Sequence, residues 1–471
     1  MTWIVLSRRV LFSRPITLLS RQRRSPQPRL WTRHVTSVVT VLMVTACGSA
    51  GNPSSTADTT STAGSADTKA LSSTKTPVAA RPPATVRVPT DAPTIQAAVD
   101  ASVEGDLILI APGTYNEAVD VFTAGITIRG EDRNTVILDG LDELENGFKV
   151  ATDRVAIENL TVRRYTFNGV LFTKAYDDNA EDPTKHELVN GYRASHLTVA
   201  NNGQYGIYAF FARGGLMTDI YASGHPDSGI YVGQCKPCDT VLTKITAERN
   251  SIGYQGTNAS GNLFITNSVW SNNRIGVTPN SQNMERLAPQ GDVVIVGNLI
   301  RSNNAADAPA TAQGAFGVGI AIAGGNRNIV TRNRIEDNVS AGVIVTDLNG
   351  YQPEGNQIVG NELALNGTDL VLEDSTNPAS IPRRGNCFAK NRFARSIPDA
   401  IESVLPCDSN AGGPVAAAGY RPVAPPPDVD YRTVALPGPQ PTMTDPMAAP
   451  GPVGAPPRVD VDAIAIHQGT P

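Results

Sequence analysis

The 471-residue sequence lacks the signatures of several common classes of protein. It contains no Ser-His-Asp triad, P-loop or dinucleotide fingerprint, and the glycine-rich stretch at 319–325 has the alternation of a repeated strand. The chain has five histidines, and its single CxxC pair has neither a second pair nor a histidine cluster to complete a zinc site. No basic stripe with interleaved aromatic residues occurs, so the sequence does not predict a nucleic-acid partner.

The first 46 residues contain no acidic residue but eight arginines. Their apolar run, 35–46, has 12 residues and is too short to span a bilayer. A basic region, a short apolar core and small residues before Cys47 are typical of a bacterial lipoprotein signal peptide. We therefore predict a signal peptide at 1–46, a lipid on Cys47 and anchoring to the outer face of the cytoplasmic membrane. A signal peptide followed by an incidental cysteine is the alternative.

Two further segments lack the apolar residues that a folded core requires. Residues 47–84 are rich in Ser, Thr, Ala and Pro, a composition that predicts a flexible tether. Residues 411–471 are rich in Pro and Ala and are predicted to form an extended tail. The region between them, 85–410, is predicted to be one folded domain, and we expect a monomer.

The charge of the chain limits its partners. Once the eight arginines of the leader are set aside, 31 basic residues face 44 acidic ones, and the net charge is −13. A polyanionic substrate would therefore need a local basic patch or a bridging cation on this protein.

One phrase recurs between residues 158 and 374: an Asn-rich turn, then a small residue that is usually Gly, then an apolar pair. The spacing of the glycines is regular, since Gly206 lies 23 residues before Gly229 and Gly253 lies 23 residues before Gly276. A fixed period in the twenties predicts a solenoid of stacked coils.

The apolar segments within each period are short and rich in Val, Ile and Tyr, which indicates β-strands. Stacked coils would pair each strand with its equivalents in the neighbouring coils and bury the inward side chains. We therefore predict an all-β parallel β-helix in which Asn residues at equivalent turns form a side-chain ladder. The repeat is interrupted after Phe172 and after Thr278, and such insertions form loops on one face of a solenoid.

The segment before the repeats predicts a cap for the open end of the stack. A helical pattern with Ile95, Ala98 and Val99 on one face ends at Gly105, and a strand is predicted at 107–111.

The phrase TIQAAVDAS…GDLILIAPGTYNEAV in this segment resembles the N-terminal signature of right-handed parallel β-helix proteins of the pectin-lyase-like superfamily. It is also similar to the start of accessory proteins for the copper site of nitrous oxide reductase. The resemblance covers roughly 85–410 and implies a right-handed coil with a polysaccharide along one strand face. It further implies either a Lys, Arg or His base with carboxylates or Ca²⁺ near a uronate, or clustered Asp residues in a hydrolase.

Four cysteines remain beside Cys47, and an even number in an exported domain predicts disulfides. Nearest-neighbour pairing, one of three connectivities, gives the bonds Cys235–Cys238 and Cys387–Cys407. A redox role for the Cys-Lys-Pro-Cys sequence would need a helix N-terminus to lower a thiol pKa, whereas this motif follows a predicted β-helix strand.

Alignment of the repeats predicts a candidate site on one strand face. The residue after each Gly points inward and the next points outward, so Leu171, Tyr208 and Tyr231 would form an outward column near Phe210. Tyrosine rings at these positions could pack against sugar rings or simply stabilise the stack as an aromatic ladder.

Loops leaving this face bring polar side chains towards the column. We predict His225, Asp227 and Lys174 as catalytic residues, because His225 and Asp227 lie two positions apart at a turn before a strand. A polar turn in which Asp227 bonds its own backbone is the alternative. The predicted substrate-binding residues are Tyr208, Tyr231, Arg213, Gln234, Asn258 and Asn280.

These observations predict an exported, lipid-anchored β-helix protein that binds an extracellular or cell-envelope polysaccharide. If the protein is an enzyme, the resemblance implies a lyase or an epimerase. Two alternatives remain open: a non-catalytic binding or structural protein of the envelope, and an accessory protein for periplasmic metal-site assembly. The sparse His and Met of the repeats weaken the last of these. No cofactor is predicted other than Ca²⁺, which the acidic stretch at 177–182 could bind.

Overall fold

The computed structural model of the chain describes residues 81–174, 187–283, 285–311, 314–417 and 419–469. Cys47 and the acidic stretch at 177–182 lie outside the described residues. In the described part, short parallel β-strands dominate, and they form one 18-stranded and one 11-stranded sheet, here called sheet A and sheet B. The predicted all-β parallel β-helix is confirmed.

Sheet B contributes one strand to each coil. Its strands are β4 (Val119–Val121), β7 (Asn146–Val150), β9 (Asn168–Phe172), β11 (Ile207–Phe210), β13 (Ser228–Gly233), β15 (Ile252–Thr257), β18 (Ile275–Asn280), β21 (Val318–Ala323), β24 (Ala341–Thr346), β27 (Leu370–Leu372) and β29 (Ser396–Ile397).

Sheet A consists of two rows of strands. The first row alone contains β1 (Thr85–Val88), β2 (Leu107–Ile110), β5 (Thr127–Gly130), β16 (Ser260–Thr266), β19 (Gly291–Val296), β22 (Ile329–Thr331), β25 (Gln357–Val359) and β28 (Cys387–Ala389). The second row alone contains β3 (Gly113–Tyr115), β6 (Val136–Asp139), β17 (Val269–Ser271), β20 (Leu299–Arg301), β23 (Arg334–Glu336) and β26 (Glu362–Ala364). Both rows share β8 (Val155–Arg163), β10 (Val189–Ala200), β12 (Ala212–Ser223) and β14 (Thr240–Glu248).

The register of sheet B reproduces the repeat. Tyr208 pairs with Tyr231, 23 positions further on, so these residues are one coil apart. Across the second insertion, Val277 pairs with Ile320, 43 positions further on. The additional residues therefore leave the strand stack and form two loops, one between β18 and β19 and a longer one between β20 and β21.

Inward side chains from sheets A and B meet in one apolar core that runs through the coils. Trp270 and Tyr254 are fully buried in it, with ring centroids 6.1 Å apart. Burial of each such side chain contributes about 1.5–3 kcal/mol, and this drives the coils to stack.

Buried amides line the bends of the coils, as the sequence predicts. In the longest ladder, each Asn Nδ2 donates to the Asn Oδ1 of the next coil over 2.9–3.1 Å. The same oxygen accepts a main-chain N–H, so each rung satisfies donors that the bend would leave unpaired. The rungs of this ladder are Asn202, His225, Asn250, Asn273, Asn303, Asn338 and Asn366, and it ends at Asp369.

A short helix lies near each end of the described stack. Helix α1 (Ile95–Asp100) begins after Thr94, whose Oγ1 accepts from the Ala97 amide at 3.0 Å, and it buries Ile95, Ala98 and Val99. Helix α2 (Ile401–Val404) follows the last strands. Its Glu402 ends a second amide ladder, which consists of Asn298, Asn333, Asn361 and Asn391, by accepting from Asn391.

The C-terminal segment 419–469 lies along the outside of the stack, a path that the sequence left open. It contains two 3₁₀ turns, Tyr431–Thr433 and Val461–Ala463, and is held by side chains that donate to its carbonyl oxygens. The arginine-to-carbonyl contacts include Arg274 to Pro426 and Pro427, Arg133 to Pro441, Arg129 to Ala448, Arg193 to Pro452 and Arg334 to His467.

Candidate functional site

The outer face of sheet B carries the predicted column. Strand pairing places Leu171 beside Tyr208 and Tyr208 beside Tyr231. The intervening residues Ile207 and Ala209 are fully buried in the core, which confirms that the tyrosines point outward.

Four aromatic rings form a cluster on this face. The rings of Tyr205 and Tyr208 stack with centroids 4.3 Å apart, and Phe210 stacks on Tyr208 at 5.2 Å. Tyr231 meets the edge of Tyr208 at 4.7 Å and the edge of Tyr205 at 5.1 Å. Tyr205, Tyr208 and Phe210 are half-buried, so the cluster presents apolar ring surface at the outer face.

Two carboxylates border this aromatic cluster. Tyr205 donates its hydroxyl to Asp227 Oδ2 at 3.1 Å. Glu285, from the loop after β18, accepts from the Tyr231 hydroxyl at 3.1 Å and from Gln234 Nε2 at 2.6 Å. Residues from three separate coils therefore meet on this face, with Asp227 before β13 and the pair Gln234 and Glu285 at the other end of that strand.

Burial shapes the electrostatics of the group. Loss of solvent raises the pKa of Asp227 to about 6, with the Tyr205 hydrogen bond opposing and the charge of Glu285 reinforcing the shift. Loss of solvent also raises the pKa of Glu285, against hydrogen bonds from Gln234 and Tyr231. Both carboxyl groups thus hold a proton more readily than exposed ones.

Asn258 holds the loop that carries Glu285. Its Nδ2 donates to the carbonyl oxygens of Gln282, Glu285 and Arg286 at 2.9, 3.2 and 2.9 Å. Since its amide is used to hold this loop, Asn258 positions Glu285. The sequence had predicted Asn258 as a substrate-binding residue. Asn280, also predicted as a binding residue, is buried and accepts from Thr257 at 3.1 Å.

The face becomes apolar beyond the aromatic cluster. Ile275, Val318 and Ile344 belong to a small hydrophobic cluster on its outer side, separate from the core. They line a groove of about 90 Å³ that Tyr420 of the C-terminal segment borders. Gln255 lines the same groove, and its Oε1 is buried without a hydrogen-bond partner.

His225 is placed in the amide ladder and away from the outer face. It is fully buried, its Nδ1 lies 2.7 Å from Asn250 Oδ1, and its Nε2 lies 3.2 Å from Asn202 Nδ2. These partners require Nδ1 to donate and Nε2 to accept, so the ring is neutral, and burial lowers its pKa to about 4. A fully buried imidazole cannot reach a substrate proton. We therefore replace the prediction that His225 is catalytic with a structural role in the amide ladder.

Two other predicted basic residues also lie elsewhere. Lys174 forms an ion pair with Asp153 over 3.1 Å. Arg213 lies at the start of β12 in sheet A, where its Nε donates to Asn190 at 2.7 Å, and it borders a groove of about 770 Å³ beneath residues 453–461. The structure therefore places Asp227, Tyr208, Tyr231 and Gln234 on the face of the aromatic cluster, whereas Lys174 pairs with Asp153 and Arg213 with Asn190.

The two predicted disulfides, Cys235–Cys238 and Cys387–Cys407, are present. Cys235 and Cys238 are fully buried, whereas Cys407 is exposed beyond α2. Among the described residues, no group of three or more His, Cys, Asp or Glu side chains is arranged to hold a metal ion.

Tyr205 and Gln255 belong to the site and were not predicted. Tyr205 lies 22 positions before Asp227, almost one full period, and this spacing is the signal that could have paired them. Gln255 follows the tyrosine column by register, since it pairs with Tyr231.

Comparisons with known proteins agree with this fold. Residues 187–363 match the family model of the right handed beta helix region. This match and the strand topology show a right-handed parallel β-helix fold. A search of curated proteins found no match. None of the described helices is long and apolar enough to cross a membrane.

Solved structures of similar fold include three proteins that act on polysaccharides by name. The A-module of the Azotobacter vinelandii mannuronan C-5 epimerase AlgE4 is 14% identical, with 64% of this chain and 91% of that chain covered and a TM-score of 0.42. A mannuronic acid specific family 6 lyase from human gut microbiota is 13% identical, with coverage of 69% and 84% and a TM-score of 0.42. Pectate lyase Pel9A is 16% identical, with coverage of 68% and 76% and a TM-score of 0.37. At these identities the likeness concerns the fold alone.

Proposed function

We propose that this protein binds a polysaccharide along the outer face of sheet B. The observation that carries the proposal is the aromatic cluster of Tyr205, Tyr208 and Phe210 with Asp227 and Glu285 at its border. Half-buried aromatic rings offer flat surfaces for sugar rings, and the adjoining carboxylates accept hydrogen bonds from hydroxyl groups.

The contact surface for a ligand is set by the column of outward residues on sheet B. The column runs across the coils from Leu171 through Tyr208 and Tyr231 to Gln255, with neighbouring strands about 4.8 Å apart. Within this column Tyr208 is half-buried whereas Leu171, Tyr231 and Gln255 are buried. A polymer on this face would therefore contact the ring of Tyr208 together with those of Tyr205 and Phe210.

The proposal is limited to binding. Elimination or epimerisation at a uronate needs a base beside the bound sugar. Of the predicted catalytic residues, Lys174 pairs with Asp153 and His225 is buried in the amide ladder, so only Asp227 lies at the aromatic cluster. The geometry therefore favours the non-catalytic binding protein of the envelope over the lyase or epimerase. No feature of the described residues favours metal-site assembly.

We also propose that the protein is exported and held at the outer face of the membrane by a lipid on Cys47. The support is the basic, apolar and small-residue pattern of the leader. Mass spectrometry of the processed N-terminus tests this proposal, since a mature protein with a free Cys47 thiol would rule it out.

Binding is tested with the full-length protein and a panel of neutral, cationic and anionic polysaccharides in affinity electrophoresis. Replacement Tyr208→Ala should weaken binding about tenfold through loss of ring contact. The matched control is Tyr221→Ala, because Tyr221 lies on sheet A. Absence of binding to every polymer, or equal effects of the two variants, would contradict the proposal.

A further inference from the structure

The groove of about 770 Å³ on sheet A lies beneath residues 453–461, which we call the arch. Gly191 and Gly214 occupy equivalent positions in two neighbouring coils at its floor, and both have positive φ. A Cβ atom on Gly214 would meet only main-chain atoms of Gly191, at 3.4 and 3.7 Å. Because no side chain projects from these two positions, the space above them stays open. Its volume lies within the range of small-molecule sites.

The arch is fastened to the coils at its two ends. Arg193 donates to the carbonyl oxygen of Pro452 at 3.1 Å, and Arg332 donates to that of Val461. Among the described contacts, the residues between these two fastenings exchange no hydrogen bond with the coils. The arch therefore spans the groove without filling it.

Apolar side chains line the groove from both sides. Val241 and Phe264 of sheet A lie at its floor, and the arch contributes Val453, Pro456 and Val459. Two facing apolar surfaces gain free energy when an apolar body displaces the water between them. The lining therefore favours a ligand with an apolar portion.

The rim of the same groove is basic. Arg154, Arg213 and Arg458 line it, and all three are exposed. Arg154 forms an exposed ion pair with Glu104, whereas neither Arg213 nor Arg458 forms an ion pair with any described residue. Asp239 is the only carboxylate among the described residues of the lining. The groove thus has a local excess of positive charge in a chain whose net charge is −13 without its leader.

We propose that this groove binds an amphiphilic anion, with one apolar chain between floor and arch and a carboxylate or phosphate headgroup at the arginines. A guanidinium group matches both headgroups, since its parallel N–H donors bind two oxygens at once. The site lies on sheet A and does not depend on the polysaccharide proposed for sheet B. Its ligand class is that of a fatty acid or of a single-chain phosphate ester.

The test is calorimetry with the full-length protein and four probes: dodecanoate, dodecyl phosphate, dodecyltrimethylammonium and inorganic phosphate. The three probes with a dodecyl chain are used below the concentrations at which they form micelles. At least one of the two dodecyl anions should bind tenfold or more tightly than the dodecyl cation, and the tighter anion identifies the headgroup. Inorganic phosphate should bind at least tenfold more weakly than the tighter anion, because it lacks the apolar chain.

Variants locate the ligand in the groove. Replacement Arg213→Met should lower the affinity for the tighter anion about tenfold, and Arg458→Met tests the same contact from the arch. The matched control is Arg327→Met, because Arg327 is an exposed arginine outside the groove, where it pairs with Asp292 at 2.6 Å. Unfolding midpoints of the three variants identify any loss of structure. Hydrogen exchange provides a second measurement, since a bound chain should slow exchange of the arch amides of Gly454 and Ala455.

Three results would overturn the proposal. Equal affinity for the dodecyl cation would mean that the arginines do not select the headgroup, and equal affinity for inorganic phosphate would mean that the apolar lining contributes nothing. Equal losses in the Arg213 and Arg327 variants, with unchanged exchange in the arch, would place the ligand elsewhere. Failure of both dodecyl anions to bind would also overturn it, and none of these results bears on glycan binding by sheet B.

Discussion

The Nδ1 atom of His225 lies 2.7 Å from Oδ1 of Asn250, so that an imidazole occupies one rung of a ladder otherwise built from asparagine amides. Asn202, one coil earlier, donates to Nε2 of the same ring. A second proton on Nε2 would face this donor, and the ladder therefore holds the ring in its neutral form.

Replacement His225→Asn should change the pH dependence of stability. Burial lowers the pKa of His225 to about 4 in the folded chain, whereas in the unfolded chain its pKa is about 6.5. Between pH 6.5 and pH 4 the imidazole therefore binds a proton in the unfolded chain but not in the folded chain. Stability should accordingly fall by up to about 3 kcal/mol from pH 6.5 to pH 4 through this residue. Urea unfolding of wild type and variant at pH 7 and pH 4.5 isolates the effect, because other groups titrate alike in both.

The variant should approach wild-type stability at pH 7 and exceed it at pH 4.5. It should also bind glycan as the wild type does, since the ring does not reach the outer face of sheet B. Loss of glycan binding in a folded His225→Asn protein would restore a functional role for this residue.

Replacement Asn333→Ala should destabilise the fold by about 2–4 kcal/mol, because it leaves several buried polar groups without hydrogen-bond partners. Asn333 Oδ1 accepts from the side chain and the main chain of Asn298, and its Nδ2 donates to the carbonyl oxygen of Ile295. The exposed Asn410 provides the control, and Asn410→Ala should stay within about 0.5 kcal/mol of wild type. Equal unfolding midpoints in urea for the two variants would show that this second amide ladder contributes nothing to stability.

The repeat made the architecture predictable because every coil poses the same physical problem. Each bend needs an amide to satisfy main-chain groups, and each strand must alternate inward and outward side chains. The spacing of Gly206 and Gly229 therefore sufficed to predict the parallel stack, the amide ladder and the outward position of Tyr208 and Tyr231. Proximity in sequence also sufficed for the disulfide Cys387–Cys407.

The site was less predictable because its chemistry departs from the repeat. The sequence places His225 and Asp227 in the same polar turn and gives no sign that their environments differ. In the structure His225 is buried in the amide ladder, whereas Asp227 faces Tyr205. The fold of the loop that brings Glu285 onto Tyr231 depends on Asn258, in another coil. The path of the C-terminal segment depends on arginines far from it in sequence and has no periodic signal.

Replacement Arg274→Met should loosen the C-terminal segment. Arg274 is buried, and its guanidinium donates to the carbonyl oxygens of Ala308, Pro426 and Pro427 at 2.9, 2.9 and 2.5 Å. Loss of these charge-assisted bonds should increase local opening about tenfold or more, since each contributes roughly 1.5–3 kcal/mol.

Limited trypsin digestion followed by mass spectrometry measures this opening at Arg432, which lies in the same segment. Lys244→Met is the control, because Lys244 is largely exposed on sheet A and makes one long ion pair, with Asp219 at 4.0 Å. Unchanged cleavage in the Arg274 variant would mean that other contacts hold the segment.

The two disulfides should respond differently to a mild reductant. Cys235 and Cys238 have no exposed surface, so a reducing agent can reach their bond only after the stack opens. Cys407 is exposed next to the end of the stack, and its bond to Cys387 should be reduced in the folded protein. Pulse alkylation followed by peptide mass spectrometry should therefore label Cys387 and Cys407 first, and Cys235 and Cys238 only under denaturing conditions. Early labelling of Cys235 or Cys238 would instead support the redox role that the Cys-Lys-Pro-Cys sequence suggests.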